Sequence, residues 1–165
     1  MGPAFKFMNT LTHLDSKGRA RMVDVGAKPL SRRKAAAYGE IRMKPAVLAM
    51  IREHKVSKGD VLAVAKIAGI MAAKRVDGLI PLCHSLALDS VELTFALKTD
   101  RICVQAEVSS QGKTGVEMES LTAVTVACLT IYDMAKAADK EMTIGPVYLM
   151  EKKGGRSGHF IRRGK

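Results

Sequence analysis

Val91, Leu93, Phe95 and Leu97 alternate with Glu92, Thr94, Ala96 and Lys98, and beyond Thr99-Asp100 the alternation resumes at Ile102, Val104, Ala106 and Val108. Successive side chains of a strand point to opposite faces, so this pattern is a β-hairpin with one face in the core and the other outside it. The apolar face must be covered by another layer. Two stretches can cover it. Asp60 to Arg75 carries Ala, Val, Ile and Met around most of its circumference, as a largely buried helix does. A second helix follows Gly115 and runs to about Ala138.

The remaining elements complete the frame. Tyr38 to Met43 reads as a first strand, Pro45 opens a short helix through Ala46 to Ile51, and Ile144 to Met150 reads as a last strand. Pro146 inside that strand has no N–H to give to a ladder, which suggests an edge or an irregular start. The order is β-α-α-β-β-α-β. Without the short helix this is a split β-α-β arrangement, an α+β fold with an antiparallel sheet and helices packed on one face. A chain of 165 residues suffices for one domain with its own core, so residues 1–165 are read as a single domain.

Charge is distributed unevenly along this frame. The net charge is +11, and residues 1–44 hold ten Lys or Arg against three acids, while residues 151–165 hold six against one. The basicity therefore sits in two arms, at about 1–37 and 152–165, which can bind nucleic acid or fold over a small polyanion. No apolar run reaches the roughly 18 residues needed to span a bilayer. Met1 to Phe7 lacks the apolar core of a secretory signal. Cys83, Cys103 and Cys128 are an odd number at wide spacing without a CxxC pair, which suits small buried hydrophobes in a reducing, cytoplasmic setting better than zinc or a redox centre.

Four segments carry chemistry. Gln111-Gly112-Lys113-Thr114 resembles part of a phosphate-binding P-loop, but Glu107 stands where the first loop glycine belongs and would repel phosphate. In Leu79-Ile80-Pro81-Leu82-Cys83-His84, a thiol and an imidazole enter an apolar stretch that should reach the end of the sheet. His84 suits proton transfer and suits a structural hydrogen bond equally well. Glu117 and Glu119 open the long helix, where carboxylates are favoured by unpaired backbone N–H groups. Asp133 and Lys136 stand three apart and can meet on one helical face. Glu119 and Asp133, fourteen residues apart, are separated by about 21 Å on a continuous helix. One compact site cannot use both from the same chain. They serve different purposes, or a two-fold interface brings one end to the other.

Met22 to Val25, Lys58-Gly59-Asp60, Ile67 to Ile70 with Ala72-Ala73-Lys74, Leu79 to His84, Lys113 to Glu119, Leu129 to Met134 and Gly154 to Gly158 together resemble the MoaC family of molybdenum cofactor biosynthesis. The likeness runs in order from about Leu11 to Phe160. It implies a ferredoxin-like fold and a homohexamer built as a trimer of dimers, with the active site at the dimer interface. It also implies rearrangement of a nucleotide-derived small molecule, a cyclised dihydro-GTP, to cyclic pyranopterin monophosphate with release of pyrophosphate. Carried onto matching positions, Asp133 and Lys136 are the acid-base centre and Lys58 a second catalytic lysine. Leu82, Cys83, His84, Met118 and Glu119, with Glu117 beside them, contact substrate, and Lys28, Arg33 and Arg156 contact its triphosphate. No cofactor or resident metal is implied, although magnesium accompanying the phosphates is compatible with it.

Burial beside Asp133 is expected to pull a lysine pKa towards neutrality for proton transfer. Ser85 follows His84 where many members have proline, and Val76-Asp77-Gly78 departs from the usual linker, so the loop that aims His84 is expected to loosen. Arg156 stands where lysine is common. The alternative from another class is a basic RNA-binding module on a split β-α-β sheet. Against it, aromatic residues make up only 4% of the chain, with no Trp to stack a base.

Overall fold

A computed structural model describes residues 17–155 and 158–163. Five strands, β1 (Ser31–Arg42), β2 (Ser90–Leu97), β3 (Arg101–Gly112), β4 (Thr143–Lys153) and β5 (Phe160–Ile161), form one antiparallel sheet in the order β2-β3-β1-β4-β5. Helices α1 (Pro45–Arg52), α2 (Val61–Ala73), α3 (Val76–Leu79) and α4 (Glu117–Ala135) complete it. The first four strands have the order of a ferredoxin-like split β-α-β sheet, with α2 and α4 packed on one face.

The hairpin pairs as its alternation requires. Leu93 faces Ala106, Phe95 faces Val104 and Leu97 faces Ile102, with Leu93, Ile102, Val104 and Ala106 almost wholly buried beneath the helices. β3 extends beyond the expected Val108 because its polar end, Ser109 to Gly112, is paired along its backbone with β1. β1 itself begins at Ser31 rather than Tyr38. In Arg33, Ala35 and Ala37 the inward positions are small or basic, so the strand reads as part of a basic arm although it is the centre of the sheet. Residues 31–37 and 152–153, assigned from the sequence to the two arms, are thus strand.

Close helix packing depends on glycine at Gly69, whereas a Cβ on Gly39 of β1 would make ordinary contact at 3.4 Å from Val124 and 3.5 Å from Cys128 of α4. A Cβ on Gly69 of α2 would come within 2.9 Å of the Ala123 carbonyl oxygen of α4, too close for any real contact. The start of α2 is fixed by Asp60, whose Oδ1 accepts from the N–H groups of Leu62 at 3.1 Å and Ala63 at 3.0 Å. In β4, Gly145 and Pro146 fall at a register shift against β1, between Gly39 and Ile41. Pro146 thus sits at an irregularity, as its missing N–H demands. No helix among the described residues is long and apolar enough to cross a membrane.

Candidate active site

Two adjoining cavities open where α4 begins. One, of about 790 Å³, is basic and is lined by Lys28, Arg33, Lys34, Lys113, Lys152 and the Gly154-Gly155 turn. The other, of about 550 Å³, is lined by Leu82, Cys83, His84, Met118 and Glu119. Lys28, Thr114, Gly115 and Glu117 belong to both. Eight of the nine expected substrate contacts therefore converge here, and the ninth, Arg156, lies outside the described residues.

Local sequence explains the shape. Any Cβ at Gly115 would collide with the Glu117 carboxylate, so glycine lets that side chain fold back across the start of α4. Gly154 and Gly155 have φ of +95° and +80° and run against the Arg32 carbonyl and the Arg33 guanidinium, an approach and a backbone conformation that glycine alone takes without strain. Arg33 is buried and already committed in part: it donates to the Gly112 carbonyl through Nε and to the Lys113 carbonyl through Nη2, both at 3.2 Å. It braces the turn before α4 as well as lining the basic cavity.

In the second cavity, His84 Nε2 lies 2.7 Å from the Val23 carbonyl oxygen, which it can only approach as a donor. This contact ties the Leu82–His84 loop to the segment before β1. Glu119 is 4% exposed, and burial, with Glu117 and Asp77 adding like charge, pushes its carboxyl up to about 7. Burial likewise raises the Cys83 thiol, with Glu119 and Asp77 contributing, so it stays a thiol at neutral pH.

The three residues expected to carry acid-base chemistry meet at the other end of α4. Asp133 accepts from Lys136 Nζ at 2.7 Å through Oδ1 and from Lys58 Nζ at 2.8 Å through Oδ2. Lys58 also reaches the Asp133 carbonyl oxygen at 3.0 Å. The lysines hold the Asp133 carboxyl down to about 2, Lys136 most strongly and Lys58 next. Lys136 is in turn held above the ordinary lysine value by Asp133. This corrects the expectation of a lysine drawn towards neutrality: in the single chain all three side chains are about half exposed, so the ion pair outweighs what little burial opposes it.

Residues 107–112 are strand, so Gln111-Gly112-Lys113-Thr114 does not form a P-loop, although Lys113 and Thr114 line the basic cavity. Lys34, Lys113 and Lys152 were not singled out from the sequence as site residues. Lys113 stands inside the segment running to Glu119, and Lys152 stands in the glycine-rich basic stretch. Beside His84, the Ser85 hydroxyl donates to the Asp77 carboxylate. On the uncovered face of the sheet, Tyr38 and Tyr148 stack with ring centres 5.1 Å apart, and Arg162 lies 4.4 Å over Tyr148. Both partners take ring area from Tyr148 that a stacked base would need.

Residues 22–155 match the MoaC family model. The chain belongs to the MoaC family. Among curated relatives, the protein of Magnetococcus marinus is 58% identical over 157 residues, covering 94% of this chain and 96% of its own. That of Roseiflexus sp. is 57% identical over 156 residues, 93% of this chain and 99% of its own. That of Novosphingobium aromaticivorans is 60% identical over 151 residues, 92% and 96%. Each is named cyclic pyranopterin monophosphate synthase. The family match spans every element that lines the two cavities and the Lys58–Asp133–Lys136 cluster.

Proposed function

We propose that this chain is a lyase of molybdenum cofactor biosynthesis, converting 3′,8-cyclo-7,8-dihydroguanosine 5′-triphosphate to cyclic pyranopterin monophosphate and pyrophosphate. The name of the curated relatives states the product, and identities of 57% to 60% over more than nine-tenths of the chain support the same activity here. The observation that carries the assignment is the division of chemistry along α4: an anion-binding cavity and a mixed cavity at its start, a proton-transfer cluster at its end.

The parts suit the reaction. Lys28, Lys113 and Lys152 offer positive charge to a triphosphate, and Arg33 adds a planar donor. When a sugar-derived hydroxyl attacks the α-phosphorus, the bond to the bridging oxygen breaks and pyrophosphate leaves into that basic cavity. Leu82, Cys83, His84, Met118 and Glu119 bound a space for the purine-derived ring. Ring opening and reclosure move protons at several atoms, which Asp133, Lys136 and Lys58 can exchange once the cluster is enclosed.

Enclosure requires a second protomer. α4 is unbroken from Glu117 to Ala135, so the cluster is about 21 Å from Glu119 within one chain. Met118, Leu129, Asp133 and Lys136 fall on one outward stripe, and Val64, Ile67 and Met71 of α2 are exposed beside it. A two-fold copy laid antiparallel on this face covers the apolar residues and brings its own cluster to the cavities of the first. The hexamer as three such dimers belongs to the same reading. Three free cysteines suit a reducing cytoplasm.

The test is direct. Purified protein given the cyclised dihydro-GTP, with and without a chelator, forms pyrophosphate and pterin in equal amounts. Neither product appearing, with substrate intact, would remove the assignment.

A further inference from the structure

Beside the substrate cavity lies a smaller one of about 160 Å³, lined in part by Asp77, Ser85, His84 and Glu119. His84 and Glu119 form the wall between the two spaces, since both line each of them. The smaller cavity is outside the chemistry assigned above. Its far side is built from Asp77 and Ser85, which the structure joins by a hydrogen bond.

We propose that Asp77 and Ser85 are a positioning pair, holding the Leu82–Ser85 loop against α3 and setting the charge environment of Glu119 from behind the substrate cavity. The inference rests on the synthase reading of that cavity. The loop needs such a tie. Its later part is pinned to β3, where Ser110 Oγ donates to the Ala87 carbonyl at 2.7 Å and Asp89 N–H to the Ser109 carbonyl at 2.9 Å. Its start is held by the Cys83 N–H on the Ile80 carbonyl at 3.0 Å. Between these points, among the described residues, His84 on Val23 and Ser85 on Asp77 hold side chains of the loop. Asp77 is itself fixed, because Oδ1 accepts from the Gly78 N–H at 3.0 Å while Oδ2 serves Ser85. One oxygen anchors the acid and the other anchors the loop.

The same carboxylate acts on Glu119 through space. Glu119 is buried, and the titratable groups that share its two cavities are Glu117 on its own helix, Asp77 on α3, Cys83 and His84 on the loop, Lys74 after α2 and Lys28 before β1. Asp77 and Glu117 add negative charge to a site already desolvated, which favours the proton-bearing carboxyl. The acid faces substrate as a hydrogen-bond donor near neutral pH.

Two substitutions separate the functions. Ser85→Ala deletes the donor and keeps the charge: kcat falls about three- to tenfold, as loss of one hydrogen bond from a positioned loop predicts. The pH profile keeps its shape, Ser85→Thr restores the rate, and mass-mapped alkylation of Cys83 speeds up. Asp77→Asn keeps an acceptor for Ser85 and deletes the charge. The limb near pH 7, identified by its disappearance in Glu119→Gln, then moves to lower pH. Unchanged Cys83 alkylation and kcat in Ser85→Ala would overturn the tie. A limb unmoved in Asp77→Asn, or a wild-type profile with no limb that Glu119→Gln removes, would overturn the electrostatic role. Wild-type protein without turnover would instead defeat the synthase reading, while the alkylation comparison would still decide the tie.

Discussion

Gly69→Ala tests how the helix layer sets the active-site spacing. The new Cβ would stand 2.9 Å from the Ala123 carbonyl oxygen and 2.5 Å from Leu93 Cδ2. Leu93 can change rotamer, but a backbone oxygen inside α4 cannot move alone, so α2 must shift outward. Overpacking of this kind costs about 1–3 kcal/mol, and an immovable neighbour places the cost near 3. Alanine returns about 1 kcal/mol through helix propensity. The net loss of about 2 kcal/mol lowers the Tm by about 4–8 °C for a chain of this size. Lys58 precedes α2 and Asp133 lies on α4, so the same displacement opens their 2.8 Å contact and lowers turnover. Thermal unfolding followed by circular dichroism at matched protein concentration reads the first effect, and pyrophosphate release reads the second. A Tm equal to or above wild type would refute the packing argument, because propensity would then have outweighed contact.

Lys136→Ala should abolish product while far-ultraviolet circular dichroism and molecular mass remain those of the wild type, since Lys136 is exposed and caps no buried group. Near-normal turnover would remove it from catalysis. Glu119→Gln should stabilise the protein at pH 8 more than at pH 5. The folded-state pKa of about 7 lies above the ordinary glutamate value of 4.5, so the unfolded chain releases its proton first. A penalty therefore grows as pH rises from about 4.5 to about 7 and is full above it. Equal Tm differences at the two pH values would show that Glu119 is not held proton-bearing by the fold.

Elements with a strong period were legible in the chain itself. The hairpin followed from alternation because its inward residues are large and apolar, α2 followed from its apolar circumference, and α4 was read as the helix after Gly115. β1 was only half legible: Arg33, Ala35 and Ala37 face the helices without the bulk that marks a buried strand. α3 is four residues long, too short to set a period. At the site, Asp133 and Lys136 are neighbours by helical spacing, but Lys58 is 75 residues from Asp133 and no local pattern joins them. Only the family resemblance brought them together. The direction of the Lys136 shift was missed because burial was assumed where a single chain leaves the cluster half exposed. Asp77 and Ser85 were visible as departures, while their mutual contact depends on the fold between α3 and the loop.

The central claim, that cavities on one protomer are completed by the Lys58–Asp133–Lys136 cluster of another, is tested most directly by subunit mixing. Lys136→Ala and His84→Ala proteins, each inactive alone, are exchanged under conditions in which mixed oligomers are demonstrated by mass. In a mixed dimer, one of the two sites receives an intact cavity and an intact cluster, so random exchange should restore about a quarter of wild-type activity per site. Mixed oligomers that form and stay inactive would contradict the shared site.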